Sequence, residues 1–349
     1  MSNMDRKKKI FWSFLALALA GLSVWAVVSQ SKELSMKQML EMVGHSDPIW
    51  FVLGIACMFG FIYFEAQAIL CIIRSIDYSR QQSRGLVYSA SDIYFSAITP
   101  SATGGQPASA YFMMKDGIPG VTVTAVLIVN LVMYTFAILT IGVVCVAVRS
   151  GLFMRFSLLS KILILFGFAA LTVLAVMFIL LLRRRKWVYS IGKWGISLLG
   201  KLHIIRNVEK RQRNLARKMI DYKNCVDMMY GKRMMLVKVF FLNLAQRASQ
   251  ITVTLMMYMA TGGSATKASD VWATQSFTVI GSNCIPIPGA MGVSDYLLLD
   301  GLRDMMSNDM AVKLELLSRS LSFYSCVIIS GIIVIAGYAT DKRRRRSKS

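Results

Sequence analysis

Apolar and polar positions alternate along this chain on the scale of whole helices rather than of single turns. Runs over 10–28, 50–73, 121–148, 162–182 and 234–260 are dominated by aliphatic and aromatic residues. Each reaches the roughly 20 residues that cross a hydrocarbon core as a helix. A sixth run, 312–338, qualifies when Glu315 and Arg319 face protein rather than lipid. Two further apolar segments are interrupted. Segment 91–114 carries Thr99-Pro100-Ser101-Ala102-Thr103-Gly104-Gly105-Gln106-Pro107 at its centre, and segment 271–302 carries Pro286-Ile287-Pro288-Gly289-Ala290-Met291-Gly292. A continuous lipid-facing helix cannot hold such breaks, because every broken turn leaves backbone groups unpaired in hydrocarbon. Re-entrant helical hairpins are therefore expected, with interfacial loops as the alternative. The pattern predicts an all-α polytopic membrane protein: about six full spans plus two re-entrant helical hairpins, forming one integral membrane domain over 1–349.

Charge sets the orientation. The chain holds 40 Lys plus Arg against 18 Asp plus Glu, a net +22, yet only 17% of residues are charged and 55% are hydrophobic, with mean hydropathy +0.54. That balance excludes a soluble enzyme or a disordered tail, since ordinary globular chains are about 25% charged. The basic residues sit in blocks beside the apolar runs: Arg6 to Lys9 before the first, Arg74, Arg80 and Arg84 after the second, Arg183 to Lys186 after the fourth, and Arg343 to Arg346 after the last. All fall on one side when six spans alternate, which makes that side, and both termini, cytoplasmic. The first hairpin then opens to the cytoplasm and the second to the exterior, an inverted arrangement of the kind in which transporters build midplane sites. The initial 10–28 run is too long for a signal-peptide core and is read as a retained span. Segment 183–233 carries fifteen Lys or Arg against Glu209, Asp221 and Asp227, interleaved with Trp187, Ile191, Trp194 and Leu198. It reads as a basic amphipathic segment on the anionic inner leaflet; tRNA is the alternative partner, and DNA is not expected.

Ionisable groups within spans cost several kcal/mol, so each needs a reason. Glu65 lies in the second run. Asn243, Gln246, Arg247, Gln250 and Thr254 recur every three or four residues, which sets them on one helical face. Glu315 and Arg319 are spaced i, i+4, as a local ion pair would be. These groups either bond neighbouring helices together or line a hydrophilic path. At the first break, helix amides without intrahelical partners and the paired Gly104 and Gly105 suit an anion such as phosphate, with Ser101, Thr103 and Gln106 adding side-chain hydrogen bonds. The six cysteines form no CxxC pair, and His45 and His203 stand far apart. No metal, cofactor or ATP site is therefore expected.

The run Ile98 to Pro107, followed by Tyr111 and Lys115-Asp116-Gly117, resembles the lysylphosphatidylglycerol synthase transmembrane-region family, the flippase-like membrane module of bacterial multiple peptide resistance factors. Pro286-Ile287-Pro288-Gly289-Ala290-Met291-Gly292 followed by Asp295 is similar to its second motif, with Ala290 in place of a glycine and Asp295 in place of a glutamate. Arg319 before Phe323-Tyr324 resembles its last-helix arginine. The resemblance implies a module of the bacterial plasma membrane that moves aminoacylated phosphatidylglycerol between leaflets and so contributes to resistance against cationic antimicrobial peptides. On that basis the substrate-binding residues are Thr99, Pro100, Ser101, Thr103, Gly104, Gly105, Gln106, Pro107, Tyr111, Pro286, Pro288, Gly289, Gly292, Asp295 and Arg319. The path would be lined by Glu65, Asn243, Gln246, Arg247, Gln250 and Glu315. Full-length members add a soluble domain that uses lysyl-tRNA to charge the lipid. This chain ends at Ser349, so that domain is expected to be missing, and catalysis would fall to a separate synthase. Two other functions remain open at this stage: phosphatidylglycerol lysyltransfer, the family's enzymatic label, and transport of another anionic amphipathic solute.

Overall fold

The computed structural model describes residues 47–99, 104–183, 231–283 and 292–346, with isolated positions between them. The expected first span, both histidines, most of the basic segment, and Pro100, Ser101, Thr103, Pro286, Pro288 and Gly289 lie outside the described residues. Among the described residues there are helices and no strand. In chain order they are α1 (Pro48–Ser75), α2 (Gln82–Ile98), α3 (Gly105–Lys115), α4 (Gly120–Val148), α5 (Ser150–Arg155), α6 (Leu158–Arg183), α7 (Arg233–Ala260), α8 (Ala268–Ser282), α9 (Val293–Leu302), α10 (Asn308–Arg319) and α11 (Cys326–Arg346).

Local chemistry accounts for where these helices start and stop. α1 begins at Pro48, whose missing N–H costs nothing in a first turn, and Asp47 caps it by accepting from the Ile49 amide at 2.9 Å. α2 ends at Thr99, which is extended (φ −106°, ψ 144°) because it precedes Pro100. Gly292 precedes α9 with φ +77°, a conformation that favours glycine, and its amide donates to Asp295 Oδ2 at 2.8 Å. α10 and α11 form one rod joined through a π-helical turn over Ser320–Ser325, directly after Arg319.

Four stretches are long and apolar enough to cross a membrane: Pro48–Ser75, Gly120–Val148, Leu158–Leu180 and Asn308–Thr340. They match the expected spans at 50–73, 121–148, 162–182 and 312–338. The expected span at 234–260 forms as α7, equal in length to α1, but its polar stripe keeps it out of that apolar set. The reason is position. α7 is the central helix, packed most extensively on α1 and also touching α4, α8 and α10, so Asn243, Gln246, Arg247 and Thr254 are buried against protein. The outward faces of α1, α4 and α6 are apolar and exposed, as Val52, Phe59, Val144, Leu165 and Val173 illustrate.

In each broken segment the described helices on either side of the break pack on one another, as the arms of a hairpin would. α2 and α3 pack along each other, and their outer ends are clamped: Arg84 pairs with Asp116 at 2.6 Å, Arg80 donates to the Asp116 carbonyl at 2.7 Å, and Tyr88 donates to the Asp116 carboxylate. α8 packs on α9, and Lys267 donates to the Met305 carbonyl at 2.5 Å across its open end. The two open ends lie at opposite ends of α4. Asp116 precedes the start of α4 by four residues, whereas Arg149 at its far end binds Ser269 at 2.7 Å and Asp270 at 3.4 Å. At 1.5 Å per residue α4 is about 43 Å long, more than the roughly 30 Å of a hydrocarbon core.

Candidate functional site

A polar cluster stands beside each pair of packed helices, α2 with α3 and α8 with α9. The first is built from α1, α2, α3, α4 and α7. Glu65 on α1 accepts from Gln246 Nε2 at 3.1 Å and from Ser89 Oγ at 3.2 Å. Asp92 on α2 faces Glu65 within hydrogen-bonding reach. It also accepts from Gln106 Nε2, in the first turn of α3, at 2.6 Å and from Ser96 at 3.3 Å. Arg247 lies over the Tyr134 ring at 3.8 Å and the Phe61 ring at 5.4 Å, and donates from Nη1 to Gln250. Glu65, Asp92 and Arg247 are only 6%, 7% and 8% exposed. Their polar groups are therefore held by each other and by neighbouring side chains rather than by solvent.

The second cluster closes around Arg319. This residue pairs with Asp295 at the start of α9, donates to Ser294 at 3.1 Å, and lies 3.4 Å from Glu315 one turn earlier on α10. Asp295 thus does two jobs, holding the first turn of α9 through the Gly292 amide and fixing the guanidinium. A cavity of about 210 Å³ opens here between α7, α8, α9 and α10, lined by Gln250, Gln275, Thr278, Ser282, Ser318 and Ser322 as well as by the three charged residues. Its hydroxyls, amides and mixed charges suit a zwitterionic or anionic headgroup far better than an apolar ligand.

The two clusters are continuous. Gln250 accepts from Arg247 and lines the cavity, while Tyr134, stacked on Arg247, donates to Asn283 Oδ1 at 3.3 Å just beyond α8. Each cluster sets two carboxyl groups against one guanidinium. Among the described residues no grouping fit for a metal ion occurs.

The sequence-derived candidates divide accordingly. Glu65, Gln246, Arg247, Gln250 and Gln106 come together in the first cluster, and Asp295, Glu315, Arg319 and Gly292 in or beside the second. Asn243 bonds Asn130 at 3.0 Å and joins α7 to α4, apart from both. Pro107 and Tyr111 are exposed on the outer side of α3. Thr99 accepts from the Gly104 amide at 2.9 Å, closing the break on itself. Gly105 is a point of close helix approach: a Cβ there would stand 2.1 Å from Asp92 Oδ1 and 2.5 Å from the Asp92 carbonyl. On the side where a Cβ would stand, the two glycines between them face Phe95, Ser96, Asp92 and Thr99. Asp92 and Tyr134 are additions to the candidate set. Asp92 is readable as a lone acid in an apolar segment; nothing in the spacing of α4 singles out Tyr134.

Comparison with curated proteins returns no match. The family model described as lysylphosphatidylglycerol synthase TM region matches residues 13–330, a stretch that takes in both hairpins and both clusters. This membrane-embedded helical chain therefore belongs to the lysylphosphatidylglycerol synthase transmembrane-region family.

Proposed function

We propose that the protein is a translocase for phosphatidylglycerol-type lipids, aminoacylated or not, in a bacterial plasma membrane. The observation that carries this reading is the cavity at Arg319, polar and charged and set between α7, α8, α9 and α10 in a bundle whose outer faces are apolar. Moving a phospholipid between leaflets means carrying a charged headgroup across about 30 Å of hydrocarbon while the acyl chains stay in lipid. A path half enclosed by protein lowers that barrier by substituting fixed dipoles and charges for water. Arg319 is placed to meet the phosphate. Asp295 and Glu315 are placed to meet an ammonium such as that of a lysyl group, and the serine and glutamine side chains to meet glycerol hydroxyls.

In this reading the two hairpins are re-entrant, dipping from opposite surfaces and meeting at the midplane, with about six spans around them and both termini in the cytoplasm. The opposite placement of their clamped ends along α4 supports it, as does the basic block at Arg74, Arg80 and Arg84 beside the first hairpin. The basic segment 183–233 would rest on the anionic inner leaflet. Outward movement of a lysylated lipid would place positive charge on the outer surface and lower its attraction for cationic peptides.

Reconstitution into liposomes tests the proposal. Fluorescent phosphatidylglycerol in the inner leaflet should become accessible to an external quencher faster in protein-containing vesicles than in empty ones. Equal rates would remove the translocase reading.

A further inference from the structure

A headgroup carrier needs either a gradient of its substrate or a coupled ion, and the first cluster holds the chemistry of a coupled ion. Glu65 on α1 and Asp92 on α2 face each other at hydrogen-bonding range, both more than nine-tenths buried. Two ionised carboxylates cannot share such a space without strong repulsion; a pair of this kind keeps one proton between its oxygens and titrates as a unit. The titratable and charged groups that face the pair from the surrounding helices are Arg247 on α7 and Cys326 at the start of α11, with Tyr134 on α4 stacked against Arg247. From α3 comes the neutral Gln106 amide. A single guanidinium balances a single negative charge, so the singly protonated pair is the neutral arrangement.

The neighbouring hydrogen bonds are incomplete in a way that points to a proton. Gln246 is 2% exposed; its Nε2 donates to Glu65, while its Oε1 has no hydrogen-bond partner. Turning that amide over would present its oxygen to Glu65, an arrangement only a protonated carboxyl can use. Arg247 Nε is likewise buried without a partner beside the pair. It is a donor in reserve for the second carboxylate charge that appears when the proton leaves. Arg247 Nη1 meanwhile reaches Gln250, which lines the headgroup cavity.

We propose that Glu65 and Asp92 bind one exchangeable proton, and that its release draws Arg247 toward the pair and away from Gln250, linking headgroup passage to the proton gradient. The proton passes from the carboxyl pair to water, leaving both groups ionised against Arg247, and returns by the same route. The inference rests on the translocase reading for its function, although the proton site itself does not.

Two measurements on the whole protein separate these. In lipid nanodiscs, infrared difference spectra taken across a pH titration should contain a protonated-carboxyl band that disappears on alkalinisation, and Glu65→Gln and Asp92→Asn should each remove it. Absence of the band from the wild-type protein, or its persistence in both variants, overturns the proposal even where transport is intact. In proteoliposomes an imposed pH gradient should shift the leaflet distribution of phosphatidylglycerol, and in Asp92→Asn the distribution should be indifferent to the gradient. A titrating band in a protein that moves no lipid would retain the proton site and remove the translocase reading. Lipid movement in the wild type that ignores the gradient would refute the coupling.

Discussion

Single residues here are chosen for what they exclude as much as for what they bind. Gly105 lets α3 lie against the Asp92 backbone, and a methyl group there would meet atoms at 2.0 to 2.5 Å. Gly105→Ala should therefore separate the arms of the first hairpin and destabilise the protein by about 1–3 kcal/mol, seen as a lower thermal-unfolding midpoint of the purified protein in detergent. At the cavity the decisive residue is Arg319. Loss of a charge-assisted hydrogen bond costs roughly 1.5–3 kcal/mol, or about ten- to a hundredfold in rate if the bond forms to a phosphate in transit. Arg319→Ala should slow lipid exchange by that factor while the protein still inserts; exchange at the wild-type rate would exclude the guanidinium from the path. Much of this scale is readable in the chain itself. Asp92 is the one acid in 91–114, so the cost argument that selects Glu65 selects it equally. What one-dimensional spacing cannot supply is that two acids more than two dozen positions apart meet, or that Tyr134 stacks on Arg247. Both depend on how α1, α2, α4 and α7 are laid against one another.

At the scale of elements, prolines and glycines mark both hairpins in the sequence because each removes a hydrogen bond or frees a conformation that a membrane helix cannot absorb. The clamps at their open ends are not marked in that way. Asp116 accepts from Arg84 and Tyr88 with only 9% and 16% of the ion-pair side chains exposed. Exposed pairs contribute at most about 1 kcal/mol, and breaking buried ones costs about 3–5 kcal/mol. Asp116→Asn should fall between, near 2 kcal/mol, and should raise amide hydrogen exchange over 105–115 ahead of the rest of the bundle; unchanged exchange there would mean that packing alone holds the hairpin shut. α7 is the counterexample to hydropathy. Its apolar length is interrupted by residues that would be costly in lipid, and it is central because those residues need protein partners. The π-helical turn after Arg319 carries no signature that composition supplies. It belongs to a class of local irregularities frequent at functional sites, and here it follows the residue that fixes Asp295.

For the molecule as a whole, the family assignment, the helical class and the apolar outer faces agree with one another, and the functional reading depends on a single arrangement. The two pairs α2–α3 and α8–α9 are clamped near opposite ends of α4, and the first turns of α3 and α9 place Gln106 and Asp295 in adjoining polar clusters. Each cluster sets two acids against one arginine, and Gln250 and Tyr134 join them. The sequence already carried the charge blocks and the two breaks; only the three-dimensional arrangement places the clamped ends about one α4 length apart. The most direct test is side-specific thiol labelling. With the six native cysteines replaced, Ser83→Cys at the open end of the first hairpin and Asp304→Cys at that of the second are both exposed positions. A membrane-impermeant maleimide should reach Ser83→Cys from the cytoplasmic side alone and Asp304→Cys from the outer side alone. Labelling of both from the same side would contradict the account.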